Sequence, residues 1–75
     1  TKLTYAITEQ SMVTLKIFNS LGEVVAIPVQ GIAAPGKYEI TFDASGLSSG
    51  VYFYELVAQG TSSVNKKVNK MLLLR

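Results

Sequence analysis

The ionisable side chains that could perform chemistry in this chain are few and scattered. The 75-residue sequence contains no histidine and no cysteine. It therefore lacks the usual general base, the commonest transition-metal ligand, a disulfide framework and any thiolate metal site. Its five carboxylates lie singly, with no spacing that suggests an acid–base pair: Glu9, Glu23, Glu39, Asp43 and Glu55. The sequence predicts a non-enzymatic protein with no catalytic residue, no metal site and no cofactor.

One stretch has the spacing of a phosphate-binding loop. Gly31 to Lys37 matches the G-x-x-x-x-G-K part of that motif. The next residue is Tyr38, where the motif needs a serine or threonine for Mg²⁺, and a helix must follow the loop. Here the alternation of Tyr38, Ile40 and Phe42 predicts a strand. We interpret the match as a coincidence.

Positive charge is concentrated near the C-terminus. Residues 1–60 carry three lysines and five acids, a net −2, whereas residues 61–75 carry +4. No nucleic-acid motif accompanies these charges, and the apolar run Met71 to Leu74 is far shorter than the roughly 20 residues of a membrane span. We therefore expect neither nucleic-acid binding nor membrane insertion. The basic residues either contact a partner protein or keep an edge strand soluble: Lys66, Lys67, Lys70 and Arg75.

Period-two alternation of apolar residues predicts an all-β fold. Val13, Leu15 and Ile17 share one face of a strand, and similar strands precede and follow it. With 75 residues the chain is expected to form a single domain. Short strands separated by frequent turns favour an immunoglobulin-like antiparallel β-sandwich of six to seven strands with Greek-key-type connections.

Three segments carry more detailed expectations. The third strand should run from Glu23 to Val29, with Pro28 near its end at a sheet edge. Gly31 to Gly36 should form the longest loop. The last strand, Val64 to Arg75, is apolar on both faces, which is typical of a strand that is central or covered on both sides.

Two turns have recognisable structural chemistry. The run Leu47 to Tyr52 has the form of a tyrosine corner, in which a tyrosine hydroxyl donates to the backbone a few residues upstream. The run Asn19 to Gly22 should form a tight hairpin turn, since Gly22 can adopt a positive φ. The residues themselves give the tyrosine corner a purely structural role.

The same residues resemble a known family. The run Val13 to Val25 reads V-T-L-K-I-F-N-S-L-G-E-V-V. It is similar to the V-x-L-x-I-aromatic-N-x-L-G-x-x-V stretch of type IX secretion system C-terminal sorting domains, type A. The resemblance continues through Gly36 to Asp43 and Leu47 to Leu56, and it closes with Lys66 to Arg75. The immunoglobulin-like domain of the flagellar hook-capping protein shares much of the middle part.

The resemblance implies a C-terminal sorting signal on a secreted protein of Bacteroidetes. It implies a cargo domain on the N-terminal side, recognition by components of the type IX outer-membrane translocon, and cleavage by a sortase-like surface protease. The cargo would reach the cell surface or the medium through the periplasm and outer membrane. The implied recognition residues are Leu21, Gly22, Gly50, Tyr52, Lys66, Lys67, Lys70, Met71, Leu72, Leu73, Leu74 and Arg75.

Departures from the family pattern and an alternative function complete the expectations. No Pro-Asn-Pro segment precedes the first strand, so the chain is expected to be a fragment of a longer protein whose cleavage site lies upstream of Thr1. Glu55 stands where such domains often carry a basic residue. The alternative is a non-catalytic immunoglobulin- or fibronectin-type spacer, or a carbohydrate-binding accessory module of a secreted enzyme. A sugar binder would need a row of exposed aromatic rings, and Phe53 is the aromatic residue expected to face outward.

Overall fold

The chain folds as two antiparallel sheets packed face to face. The computed structural model describes residues 2–74. The predicted all-β sandwich is confirmed, and the described residues form six strands: β1 (Lys2–Ile7), β2 (Ser11–Phe18), β3 (Val24–Ala33), β4 (Gly36–Thr41), β5 (Gly50–Gly60) and β6 (Val64–Leu73).

The two sheets differ in width. One sheet has four strands in the order β3-β2-β5-β6, and the other has only β1 and β4. The connections β1–β2, β3–β4 and β4–β5 each cross from one sheet to the other, as in Greek-key sandwiches. Strands β2 and β5 are therefore central in the wide sheet, and β3 and β6 are its edges.

The core is built on the inner face of β2. Val13, Leu15 and Ile17 are almost completely inaccessible to solvent, as their alternation predicts. Because β2 is central in the wide sheet and the narrow sheet packs against its inner face, these side chains are shielded from solvent. The remaining buried apolar residues come from three other strands: Leu3, Ile7, Tyr52, Ala58, Met71 and Leu73.

The tyrosine corner is confirmed. The ring of Tyr52 is buried, and its hydroxyl donates a hydrogen bond of 2.9 Å to the backbone carbonyl of Ser48. Ser48 lies in the connection that brings the chain from β4 back to the wide sheet. This bond therefore fixes the point at which β5 begins.

The prediction for the third strand and the following loop is wrong. Strand β3 continues past Pro28 to Ala33, so only Ala34 and Pro35 separate it from β4. Two residues, Ile27 and Pro28, lie opposite a single position of β2, between the pairs formed by Leu15 and Ile17. A bulge on an edge strand tolerates a proline without ending the strand, since the missing N–H faces no partner.

The prediction that the last strand is central or covered is also wrong. Strand β6 is an edge of the wide sheet, and residues 64–70 are all exposed. Only Met71 and Leu73, near its end, are buried. The narrow sheet does not reach far enough to cover the rest. The predicted end of this strand at Arg75 lies outside the described residues.

A contact between two turns holds the start of β6 in place. Glu9, in the β1–β2 connection, accepts a 2.6 Å hydrogen bond at Oε2 from the Ser62 hydroxyl and a 3.2 Å bond at Oε1 from the Ser62 N–H. These bonds lower the pKa of Glu9. The carboxylate lies where a Cβ atom on Gly60 would stand, so a side chain at Gly60 would displace it.

Loss of the Tyr52 hydroxyl should weaken the fold measurably. We expect Tyr52→Phe to lower the free energy of unfolding by about 1 kcal/mol, because one buried hydrogen bond is lost. Urea unfolding followed by tyrosine fluorescence would measure the change. Tyr54→Phe is the matched control, since Tyr54 lies on the same face of β5 and has no hydrogen bond from its hydroxyl among residues 2–74. Equal stability of the two variants would contradict a stabilising role for the corner.

The contact between Glu9 and Ser62 should make stability depend on pH. The pKa of Glu9 in the folded protein is lowered from an ordinary value of 4.5. Its contribution is therefore complete above that ordinary value and is lost as the pH falls through the lowered pKa. We expect Glu9→Gln to be less stable than the wild type at neutral pH, with the difference narrowing in acid. Urea unfolding at a series of pH values would measure this.

Gly60→Ala serves as the second variant for the same contact. The added methyl group should displace the Glu9 carboxylate from Ser62 while leaving its charge in place. We therefore expect the stability of Gly60→Ala, like that of Glu9→Gln, to fall below the wild type at neutral pH and to approach it in acid. An unchanged gap between the wild type and Glu9→Gln at every pH would show that ionised Glu9 does not stabilise the fold.

Candidate functional site

The strand register gathers most of the predicted recognition residues at one end of the wide sheet. Phe18 pairs with Phe53, Phe53 pairs with Lys70, and the chain turns immediately after Phe18. Gly50 pairs with Leu73, three positions further along the same end. We call this region, formed by residues 18–24, 50–53 and 70–74, the turn end of the wide sheet.

The β2–β3 turn holds one leucine out into solvent. The Asn19 side chain accepts hydrogen bonds of 3.0 Å from the N–H groups of Leu21 and Glu23, and its amide donates to the Glu23 carboxylate. Gly22 adopts a φ of +85°, which residues with a Cβ atom rarely adopt. The hydrogen bonds of Asn19 and the conformation of Gly22 define the turn backbone. In this turn the Leu21 side chain is 82% exposed. The predicted tight turn is confirmed.

The end of β6 alternates between anchoring and exposed residues. Met71 and Leu73 point inward and are buried, whereas Leu72 and Leu74 point outward and are 59% and 82% exposed. Met71 lies opposite Tyr52, and Leu73 lies opposite Gly50. Gly50 and Tyr52 therefore position this segment of β6 from within the sheet, and Leu72 and Leu74 share the turn end with Leu21.

The basic residues of β6 do not form one patch. Lys70 lies at the turn end, opposite Phe53 on the outer face. Lys66 lies further along the outer face, and its Nζ is 3.3 Å from Oε2 of Glu55. Lys67 lies opposite Leu56, on the inner face. Lys66 and Lys67 are therefore separated from the turn end, and Arg75 lies outside the described residues.

The acid at position 55 has a structural explanation. Glu55 lies between Lys16 and Val68 in the sheet, with Lys66 at ion-pair distance. Its side chain is largely buried, whereas that of Lys66 is mostly exposed. Such a half-exposed pair contributes at most about 1 kcal/mol. Its clearest consequence is that the ammonium group of Lys66 already has a partner.

Sequence reasoning missed a groove on the side of the sandwich. It has a volume of about 320 Å³ and lies between β1 and the inner faces of β5 and β6. Tyr54, Leu56 and Ala58 lie at its β5 side, and Lys67 lies at its β6 side. No local pattern indicates the groove, because it results from the different widths of the two sheets.

The aromatic residues do not form an exposed row within residues 2–74. Tyr5 and Tyr38 stack with ring centroids 5.3 Å apart, but both are partly buried and pack against the core around Val13. Burial, with a smaller contribution from Tyr38, raises the pKa of Tyr5. Phe53 occupies the outer face, as expected, and is half-buried. This arrangement gives no support to the alternative of a sugar-binding platform.

Two searches of the described residues bear on other functions. Residues 2–74 contain no group of three or more acidic, histidine or cysteine side chains placed to hold a metal ion. The same part of the chain has no helix of the length and hydropathy that crossing a membrane requires.

Comparison with known proteins identifies the family. Residues 1–70 match the family described as the secretion system C-terminal sorting domain. No curated protein and no solved structure gave a significant match. The family match spans most of the chain. The chain therefore belongs to the C-terminal sorting domains of type IX secretion, which mark an attached cargo for export to the cell surface or the medium.

Proposed function

We propose that the type IX translocon in the outer membrane recognises this domain at the turn end of the wide sheet. The observation that carries the proposal is the exposure of Leu21, Leu72 and Leu74 at one end of the molecule. Exposed leucines from two distant segments of the chain, placed at the same end of a sheet, suit an interaction surface.

The physical basis is burial of apolar surface by a rigid partner surface. Each leucine fully removed from water contributes about 1.5–3 kcal/mol. The turn is fixed by Asn19 and the β6 end by its buried neighbours, so little conformational entropy is lost on binding. The ammonium group of Lys70 would steer the encounter with an acidic partner and raise the association rate.

The position of the first strand supports a role for the same end in cargo delivery. Leu3 packs in one core cluster with Met71 and Leu73, so β1 begins near the turn end. We infer that residues 1–75 form a single domain of a longer secreted protein, with the cargo on the N-terminal side. Docking at the turn end would then bring the junction upstream of Thr1 close to the translocon and to a sortase-like surface protease.

Substitution of the exposed leucines should prevent export without unfolding the domain. The domain would be fused behind a periplasm-directed fluorescent reporter in a bacterium that has a type IX system. We expect the double variant Leu21→Ser/Leu72→Ser to reduce surface-exposed reporter at least about tenfold, since the loss of two buried leucines exceeds 1.4 kcal/mol. Surface exposure would be measured by protease accessibility on intact cells.

The matched control lies at the opposite end of the same outer face. Ile32 and Val64 are 70% and 62% exposed, and they pair with neighbouring positions of β2 and β5. Ile32→Ser/Val64→Ser should be exported like the wild type. Deletion of residues 70–75 is a poorer test, because it removes the buried Met71 and Leu73.

Two outcomes would overturn the proposal. Wild-type levels of surface reporter from Leu21→Ser/Leu72→Ser would show that the turn end is not recognised. Equal export of the wild-type fusion in a translocon-null strain would show that the domain does not use this route. Circular dichroism of the purified variants would verify that each one is folded.

A further inference from the structure

Strand β1 borders the groove on the side of the sandwich, and the inner face of β6 lies opposite it. Among residues 2–74, β1 pairs only with β4, and β6 pairs only with β5. The groove is lined by β1 along Leu3 to Thr8 and by the inward-facing side of β5 and β6. A strand edge presents unpaired N–H and C=O groups, so β1 offers backbone hydrogen-bonding groups along this groove.

The groove has an apolar floor and a polar rim. Leu15, Tyr54, Leu56 and Ala58 supply the floor. On β6, Asn65, Lys67 and Asn69 take the inward-facing positions opposite Ala58, Leu56 and Tyr54. All three rim residues remain exposed, because no strand of the narrow sheet lies over them. The uncovered strip is the width of β6, which is about the 4.8 Å spacing between paired strands.

Among residues 2–74, Lys67 is the single charged residue that lines this groove. It forms no ion pair within residues 2–74, whereas its neighbour Lys66 is paired with Glu55 on the opposite face. The groove therefore combines an ammonium group, backbone hydrogen-bonding groups and an apolar floor. An extended peptide with a carboxylate and apolar side chains complements all three.

We propose that the groove binds an extended peptide segment of a partner protein as an additional strand on β1. The backbone of the segment would pair with the free edge of β1, its apolar side chains would cover the floor, and a carboxylate would contact Lys67. Addition of a strand to a free sheet edge is a general mode of peptide recognition, in which alternate side chains supply the specificity. The site is on the side of the sandwich and does not depend on docking at the turn end.

Charge opposes pairing of this groove with the β6 or β1 edge of a second copy of this chain. The β6 edge of a second copy would bring Lys66, Lys67 and Lys70 towards the Lys67 of the first, and its β1 carries Lys2 and no acid. Like charges placed opposite one another in a sheet are destabilising. An acidic segment from another protein meets no such repulsion.

The test uses a defined peptide and the 75-residue domain. The peptide has about nine residues, within the usual length of a strand, with capped ends, alternating valine and threonine, and one central glutamate. Titration followed by ¹H–¹⁵N NMR would give the dissociation constant and the sites of binding. We expect shift changes along β1 and at Asn65 and Asn69, and slower amide hydrogen exchange along β1.

Matched variants separate the groove from general charge attraction. Lys67→Gln should weaken binding about tenfold, as the loss of a charge-assisted hydrogen bond predicts. Lys66→Gln, one residue away on the other face, should bind the peptide like the wild type. A peptide with lysine in place of glutamate should bind poorly to the wild type and better to Lys67→Glu. Two further peptides would carry N-methyl groups on the odd-numbered or on the even-numbered backbone nitrogens. Because only one of these sets faces β1, at least one of the two peptides should fail to bind.

Three results would overturn the proposal. The first is no binding of the glutamate peptide at millimolar concentration. The second is equal weakening by Lys66→Gln and Lys67→Gln, which would indicate attraction to the basic strand in general. The third is concentration-dependent dimerisation of the peptide-free domain with protection of β1 amides, because a second copy would then fill the groove.

Discussion

The narrow sheet has two strands, and the sheet it must cover has four. With strands about 4.8 Å apart, β1 and β4 shield only part of the inner face opposite them. The central strands β2 and β5 carry the most deeply buried side chains, including Val13, Leu15 and Ile17. Solvent reaches the remaining inner surface, and most of β6 lies there. The exposed lysines, the groove and the turn end all depend on this difference in width.

The end of strand β6 contributes both to the core and to the exposed surface of the domain. Its last residues alternate, so Met71 and Leu73 complete the core while Leu72 and Leu74 face solvent. The buried residues hold the exposed ones in a fixed direction, and Tyr52 lies opposite Met71 in the register. The residues that the family resemblance implies for recognition are thus of two kinds. Some could contact a partner directly, and others position them.

The two binding surfaces proposed for this domain are physically distinct. The turn end presents leucine side chains held by a capped turn and by the strand end, and its partner would have to offer an apolar surface to cover them. The groove presents backbone groups, an apolar floor and one unpaired ammonium group, and its partner would be an extended acidic chain. Because Lys66 and Lys67 point to opposite faces, neighbouring charges of the sequence serve different surfaces.

Part of the candidate site could be predicted from the sequence. Asn19 to Gly22 forms a turn because an amide side chain and a glycine stabilise it locally, and Tyr52 reaches Ser48 only four residues away. The placement of Leu21 and Leu72 at the same end of the sheet could not be predicted, since it depends on the pairing of β2 with β5 and of β5 with β6. The contact between Glu9 and Ser62 joins residues 53 positions apart, and no spacing rule indicates it.

The sequence by itself determined the all-β class, the turn from Asn19 to Gly22, the tyrosine corner and the buried face of β2. These features follow from period-two alternation and from the backbone preferences of glycine, asparagine and tyrosine-corner residues, which act over a few positions. Only the tertiary structure decided which strands lie at the edges. The end of the last strand, Met71 to Leu74, is apolar on both faces and made Val64 to Arg75 look central by pattern. Among residues 2–74, however, β6 pairs on one side only. Local patterns report side-chain burial, whereas an edge is decided by whether another strand is available to pair, which is a property of the whole chain.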